Sequence, residues 1–85
     1  MQALLVDDET IAVNALKRRV NWEKYGVGRI FTAYSMQQAQ EIFRTEVIDF
    51  MLCDIEMPQG NGLELFEWVK VYYPAAECIY VTCHP

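Results

Sequence analysis

The chain has 85 residues, with twelve acids against seven bases and a net charge of −5. An apolar fraction of 53% argues for a globular core and against disorder, and the acidic balance argues against a surface that holds phosphate backbones. No apolar run reaches the roughly 18–20 residues that span a bilayer.

The amino terminus lacks the basic region and apolar segment of a signal peptide, so a cytoplasmic location is expected. The one short basic cluster, Lys17-Arg18-Arg19, reads as a solvated helix face. Cys53, Cys78 and Cys83 are odd in number, form no C-x-x-C and sit in apolar runs, which suits small buried hydrophobes.

Ala3 to Val6 is a short apolar run bounded by acids, as in a fully buried strand. Thr10 to about Lys24 carries Ala12, Leu16 and Val20 at intervals of four, an amphipathic helix that Gly26 and Gly28 end. A second strand is expected over Ile30 to Ala33. Ser35 followed by Gln38 has the form of a capping box, opening a helix striped by Ala39, Ile42 and Phe43.

A third strand is expected over Ile48 to Cys53. Asn61 can cap a third helix in which Leu63, Phe66 and Val69 share a face, closed by Pro74. Cys78 to Thr82, rich in β-branched and aromatic residues, is the fourth strand. The order βαβαβαβ implies a parallel sheet with helices on both faces. Its ligand site is expected beyond the carboxyl ends of the strands.

Two apolar runs end on carboxylates, "LLVDDE" and "FMLCDIE". If the first and third strands are neighbours, about 4.8 Å apart, Asp7, Asp8 and Asp54 converge on one pocket. Like charges so close repel, and a cation relieves them. Oxygen ligands without His or Cys favour Mg²⁺. A carboxylate beside that ion can act as a nucleophile toward phosphorus, and Asp54, alone at its strand end, is the candidate. The Thr82 hydroxyl and the Cys83 backbone N–H can meet phosphoryl oxygens. Taken singly, each residue has a plainer reading. The Asp7-Asp8 pair can be a helix cap with first-turn acid, Asp54 a turn residue, Glu56 part of a solvated loop and Thr82 a strand residue.

In conjunction, "VDDE" (Val6 to Glu9), "DIEMPQGNG" (Asp54 to Gly62) and "VT" (Val81, Thr82) closely resemble the receiver domains of two-component response regulators. The resemblance implies a flavodoxin-like doubly wound sheet of strand order 2-1-3-4. It makes Asp54 the phosphoacceptor, Asp8 a direct Mg²⁺ ligand, and Asp7 a closer-range or water-mediated partner. Glu56 contributes its backbone carbonyl to the metal, and Thr82 is the switch hydroxyl. It implies a sensor histidine kinase as phosphoryl donor, with DNA contacted only through an output domain outside this segment. "NWEKYG" (Asn21 to Gly26) looks like receivers attached to AraC-type helix-turn-helix output domains.

The sequence also departs from that family. Receivers have five strands and five helices, whereas this sequence stops at Pro85, after the fourth strand. The fifth strand's lysine and the aromatic switch residue before it have no counterpart. Residues 1–85 are therefore expected to be a single receiver domain incomplete at its carboxyl end, without the fourth helix, fifth strand and fifth helix. The fourth strand would be an open edge, so self-association through it is expected.

Two other functions compete with the phosphoacceptor. One is a phosphorylation-independent receiver-like dimerisation or interaction module. The other is a Mg²⁺-dependent phosphohydrolase, for which the only histidine is His84. A receiver is not expected to be a turnover enzyme.

Overall fold

The computed structural model describes residues 1–54 and 62–81, and for residues 54, 62, 80 and 81 the backbone only. In chain order these form β1 (Gln2–Val6), α1 (Thr10–Arg19), a 3₁₀ turn (Trp22–Tyr25), β2 (Arg29–Ala33), α2 (Met36–Thr45), β3 (Phe50–Asp54), α3 (Gly62–Tyr72) and β4 (Glu77–Val81). The four strands make one parallel sheet in the order β2-β1-β3-β4, as the resemblance to receiver domains implies.

Successive strand residues point to opposite faces, and here both faces are apolar. Leu4, Val6, Met51 and Cys53 pack with Ala39 and Phe43 of α2 and Leu65 and Val69 of α3. The alternate residues Ala3 and Leu5, equally buried, face the other way, the side to which α1 brings Val13. This two-sided burial is why the strands read as unbroken apolar runs. Aromatic rings fill the angle between α2 and α3. Phe43 meets Trp68 edge-on at 6.0 Å and Tyr73 at 5.1 Å.

Register is fixed at the strand starts. The Asp49 carboxylate accepts the Gln2 backbone N–H at 2.6 Å, and the Asp49 N–H donates back to the Gln2 carbonyl at 2.8 Å. The Gln2 side-chain amide donates to the Val47 carbonyl, and Glu77 N–H donates to the Asp49 carbonyl at 3.0 Å. Asp49 therefore ties the starts of β1, β3 and β4 together. With the β1–β3 register set, the ends of those strands are set too.

The structure corrects the extent of the first helix, which stops at Arg19 rather than continuing to Lys24. Val20 turns extended, with φ −95° and ψ 134°. Asn21 then caps a separate turn by accepting Lys24 N–H on its side chain. Trp22 Nε1–H donates to the Lys17 carbonyl at 3.0 Å, satisfying a helix-end acceptor that a longer helix would have used itself. Gly26 ends the turn at φ +80°, a backbone state that costs glycine little.

The third helix also differs from expectation. Its buried stripe is Leu65 and Val69, whereas Leu63 is half exposed and Phe66 only partly covered. Asn61, proposed as its cap, lies outside the described residues. The Ser35 cap is present: Gln38 N–H donates to Ser35 Oγ at 3.1 Å, and the Gln38 side chain accepts Tyr34 N–H at 2.8 Å.

Candidate functional site

Parallel strands all end at the same rim of the sheet, so the residues that follow them become neighbours. Val6 is the register partner of Ala33 on one side and Cys53 on the other, and Asp54 is the partner of Val81. Asp7 follows Val6, Asp54 completes β3, and Thr82 follows Val81. The backbone thus brings the first acid pair to the rim where β3 and β4 end.

Asp7 is held in place there. Its N–H donates to the Ala33 carbonyl at 3.1 Å, extending the β1–β2 ladder by one step. Its side chain is buried, with 8% exposure, and Oδ1 accepts Glu9 N–H at 3.0 Å. A carboxylate taken this far out of water favours a positively charged neighbour. Asp8, the next residue, is exposed. The pair thus presents one anchored and one accessible carboxylate.

This geometry decides against the plainer reading of the pair as a helix cap. The N-cap of α1 is Glu9, whose side chain makes no capping bond, and the first turn of α1 contains no acid. The bond from Glu9 N–H closes a local turn at Asp7, ahead of the helix. That turn is the feature the sequence reading missed, although an Asp accepting the N–H two residues on is a recognisable signal.

The other candidates are only partly covered. Asp54 is placed by its backbone, and Glu56, Thr82, Cys83 and His84 lie outside the described residues. Among the described residues no three His, Cys, Asp or Glu side chains gather closely enough to hold a metal. The pair in hand suits a hard cation: two carboxylates, one of them buried, with no described sulfur or imidazole ligand beside them. Of the described cysteines, Cys53 is buried and Cys78 partly buried, and neither forms a disulfide. Burial pushes the Cys78 thiol above its ordinary pKa, partly opposed by the Lys70 ammonium. No described helix is long and apolar enough to cross a membrane.

Comparison with known proteins converges on one family. The response regulator receiver domain matches residues 3–85. An uncharacterised response regulatory protein of Staphylococcus epidermidis is 32% identical over 69 residues, 81% of this chain and 28% of that protein. Among solved structures, a two-component transcriptional regulator AraC from Clostridium phytofermentans superposes with a TM-score of 0.92 at 27% identity. The match covers 96% of this chain and 64% of that one. The response regulator TrrA of Thermotoga maritima, solved in complex with Mg²⁺-BeF, matches with a TM-score of 0.83 at 30% identity, over 98% and 70% of the two chains. The chain thus spans about a quarter of the curated relative's length and about two thirds of these solved chains.

Proposed function

The chain belongs to the response regulator receiver domains, and from that premise we propose that Asp54 is its phosphoacceptor, with Asp7 and Asp8 holding Mg²⁺ beside it. Receivers as a family take a phosphoryl group on aspartate from histidine kinases, bind Mg²⁺ and are not turnover enzymes. The observation that carries the assignment here is the register of β1 and β3, which brings the buried, anchored Asp7 to the rim where Asp54 ends its strand.

In the proposed reaction a carboxylate oxygen of Asp54 forms a bond to phosphorus. The bond from phosphorus to the donor's imidazole nitrogen breaks, and the departing imidazole keeps that electron pair. Asp54 becomes an acyl phosphate. Bound Mg²⁺ would supply positive charge against the acids and the phosphoryl oxygens. Asp8 would bind it directly, Asp7 at closer range or through water, and Glu56 through its backbone carbonyl. The Thr82 hydroxyl and the Cys83 N–H would donate to the phosphoryl oxygens.

The added charge at the rim would then be read by an output domain, as in transcriptional regulators. The Asn21 to Gly26 stretch and the similarity to a two-component transcriptional regulator AraC from Clostridium phytofermentans support an AraC-type assignment of that domain.

A second reading is a phosphorylation-independent receiver-like interaction module. The two readings separate in one experiment: incubation with Mg²⁺ and acetyl phosphate, followed by intact mass. A phosphoryl adduct on the wild type and none on Asp54→Asn is expected. An unmodified wild type would leave the interaction module.

A further inference from the structure

The bases of the chain are gathered in one segment. Residues 17–29 hold five of the seven, Lys17, Arg18, Arg19, Lys24 and Arg29, against the single acid Glu23, which leaves eleven acids and two bases elsewhere. All five are exposed, and among the described residues none of them makes an ion pair. The end of α1 accounts for the first three, because cations there offset the negative end of the helix macrodipole. It does not account for Lys24, on the turn that follows, or for Arg29, at the start of β2.

The backbone beneath these charges is tied down. Trp22 Nε1–H donates to the Lys17 carbonyl at 3.0 Å, Val27 N–H to the Trp22 carbonyl at 3.0 Å, and Gly28 N–H to the Met1 carbonyl at 2.9 Å. The last bond sets the segment at the start of β1, a ten-residue helix or roughly 15 Å away from the acids at the opposite rim. Lys17 and Arg29 there line one shallow pocket with Asn21, Trp22 and Gly28, and Glu23 is its one opposing charge. The Arg29 guanidinium is steadied over the Phe31 ring, 5.0 Å from its centre. The pocket adjoins β2, with β1 and β3 standing between that strand and β4.

We propose that this pocket docks a short acidic peptide segment of a partner protein, its carboxylates meeting Lys17 and Arg29 and its flanking acids meeting Arg18, Arg19 and Lys24. The placement of charge selects that partner over a nucleic acid or an anionic bilayer. Screening confines each charge to a reach of about 10 Å at 0.1 M salt, so a short segment feels the patch alone. A duplex or a membrane extends past the patch to the acids that dominate the rest of the chain, and is repelled there. The pocket is open and shallow, which suits a peptide lying across it and not a small molecule enclosed by it. Arg29 offers a carboxylate the planar fork that binds both of its oxygens.

The 85-residue chain is titrated in low salt, without a phosphoryl donor, into a fluorescein-labelled peptide of alternating Glu and Ser and into its Gln and Ser counterpart. Fluorescence anisotropy reads the binding. The acidic peptide alone is expected to bind, and more weakly as salt is raised. Lys17→Glu with Arg29→Glu is expected to weaken it about tenfold or more. Arg44→Glu with Lys70→Glu makes the same change of net charge outside the patch and should alter binding less than about twofold. Far-UV circular dichroism verifies that each variant is folded, with the Gln pairs at the same positions as milder replacements. Equal binding of the two peptides overturns the proposal. Equal weakening by the two charge-reversed pairs overturns it too, because the attraction would then belong to net charge and not to the pocket. A labelled DNA duplex, or vesicles of phosphatidylglycerol, held more tightly than the acidic peptide in the same buffer would overturn the choice of partner.

Discussion

Val6 and Cys53 are partners across the β1–β3 ladder, so the acids that follow them leave the sheet at one rim. Asp7 is buried there and accepts Glu9 N–H on Oδ1. Asp7→Asn keeps an acceptor at that atom and removes the charge. Without Mg²⁺, less like-charge repulsion should stabilise the fold by about 0.5–1 kcal/mol. Mg²⁺ affinity should fall by about tenfold or more. Asp8→Asn should lower the affinity likewise, but leave metal-free stability within about 0.5 kcal/mol, because Asp8 is exposed. Calorimetric Mg²⁺ titration and thermal unfolding with and without the ion measure both. Equal Mg²⁺ binding by the wild type and the two variants would remove the acid pair from the site.

The face of α3 gives a sharper contrast. Leu65 is completely buried against β1, β3 and α2, whereas Leu63 is half exposed. Leu65→Ala should cost about 2–5 kcal/mol, enough to unfold much of so small a domain at 37 °C. Leu63→Ala should cost under about 1 kcal/mol. Urea midpoints of the two variants decide it, and the reverse order would restore the face first read from the sequence.

That error shows where sequence patterning loses its grip. The strands were legible because a parallel strand buried on both sides must be apolar throughout, and acids at its end then stand out. The Ser35–Gln38 cap was legible because its partners are close in sequence. In α3, Leu63, Phe66 and Val69 form one apolar row, while Leu65 and Val69 form another on the same helix. Periodicity cannot choose between them; the position of the sheet does. The end of α1 failed differently. Val20 continues the helical spacing of Ala12 and Leu16, but capping by Asn21 and the bond from Trp22 to Lys17 outweigh it. At the site, the acid pair was legible in type and place. The anchoring of Asp7 was not, because it depends on a local turn and not on spacing.

The turn after α1 offers a test at its glycines. Gly26 has φ +80°, and a Cβ there would meet nothing within 4 Å. The cost of Gly26→Ala is then purely conformational, about 1 kcal/mol. Gly28 has equal room and no positive φ, so Gly28→Ala should be neutral or slightly stabilising. Thermal unfolding of the two variants should separate by several degrees in that order. Equal midpoints would mean that the turn relaxes without its left-handed residue.

Cys78 is expected to make stability fall at alkaline pH. Its thiol is partly buried against the core between the sheet and α3, and burial raises its pKa despite the nearby Lys70 ammonium. The folded state therefore holds the neutral thiol more tightly than the unfolded chain does. That contribution is complete below the ordinary thiol pKa and is lost as pH rises through the raised value. Stability should decline above about pH 8.5, and Cys78→Ala should flatten the decline while lowering stability near neutrality through the lost packing. Lys70→Gln removes the opposing ammonium and should deepen the decline, extending it to higher pH from the same onset. Urea unfolding from pH 7 to 10, in a Cys83→Ala background so that one thiol fewer titrates, reads all three. A decline unchanged by Cys78→Ala would assign it to another group.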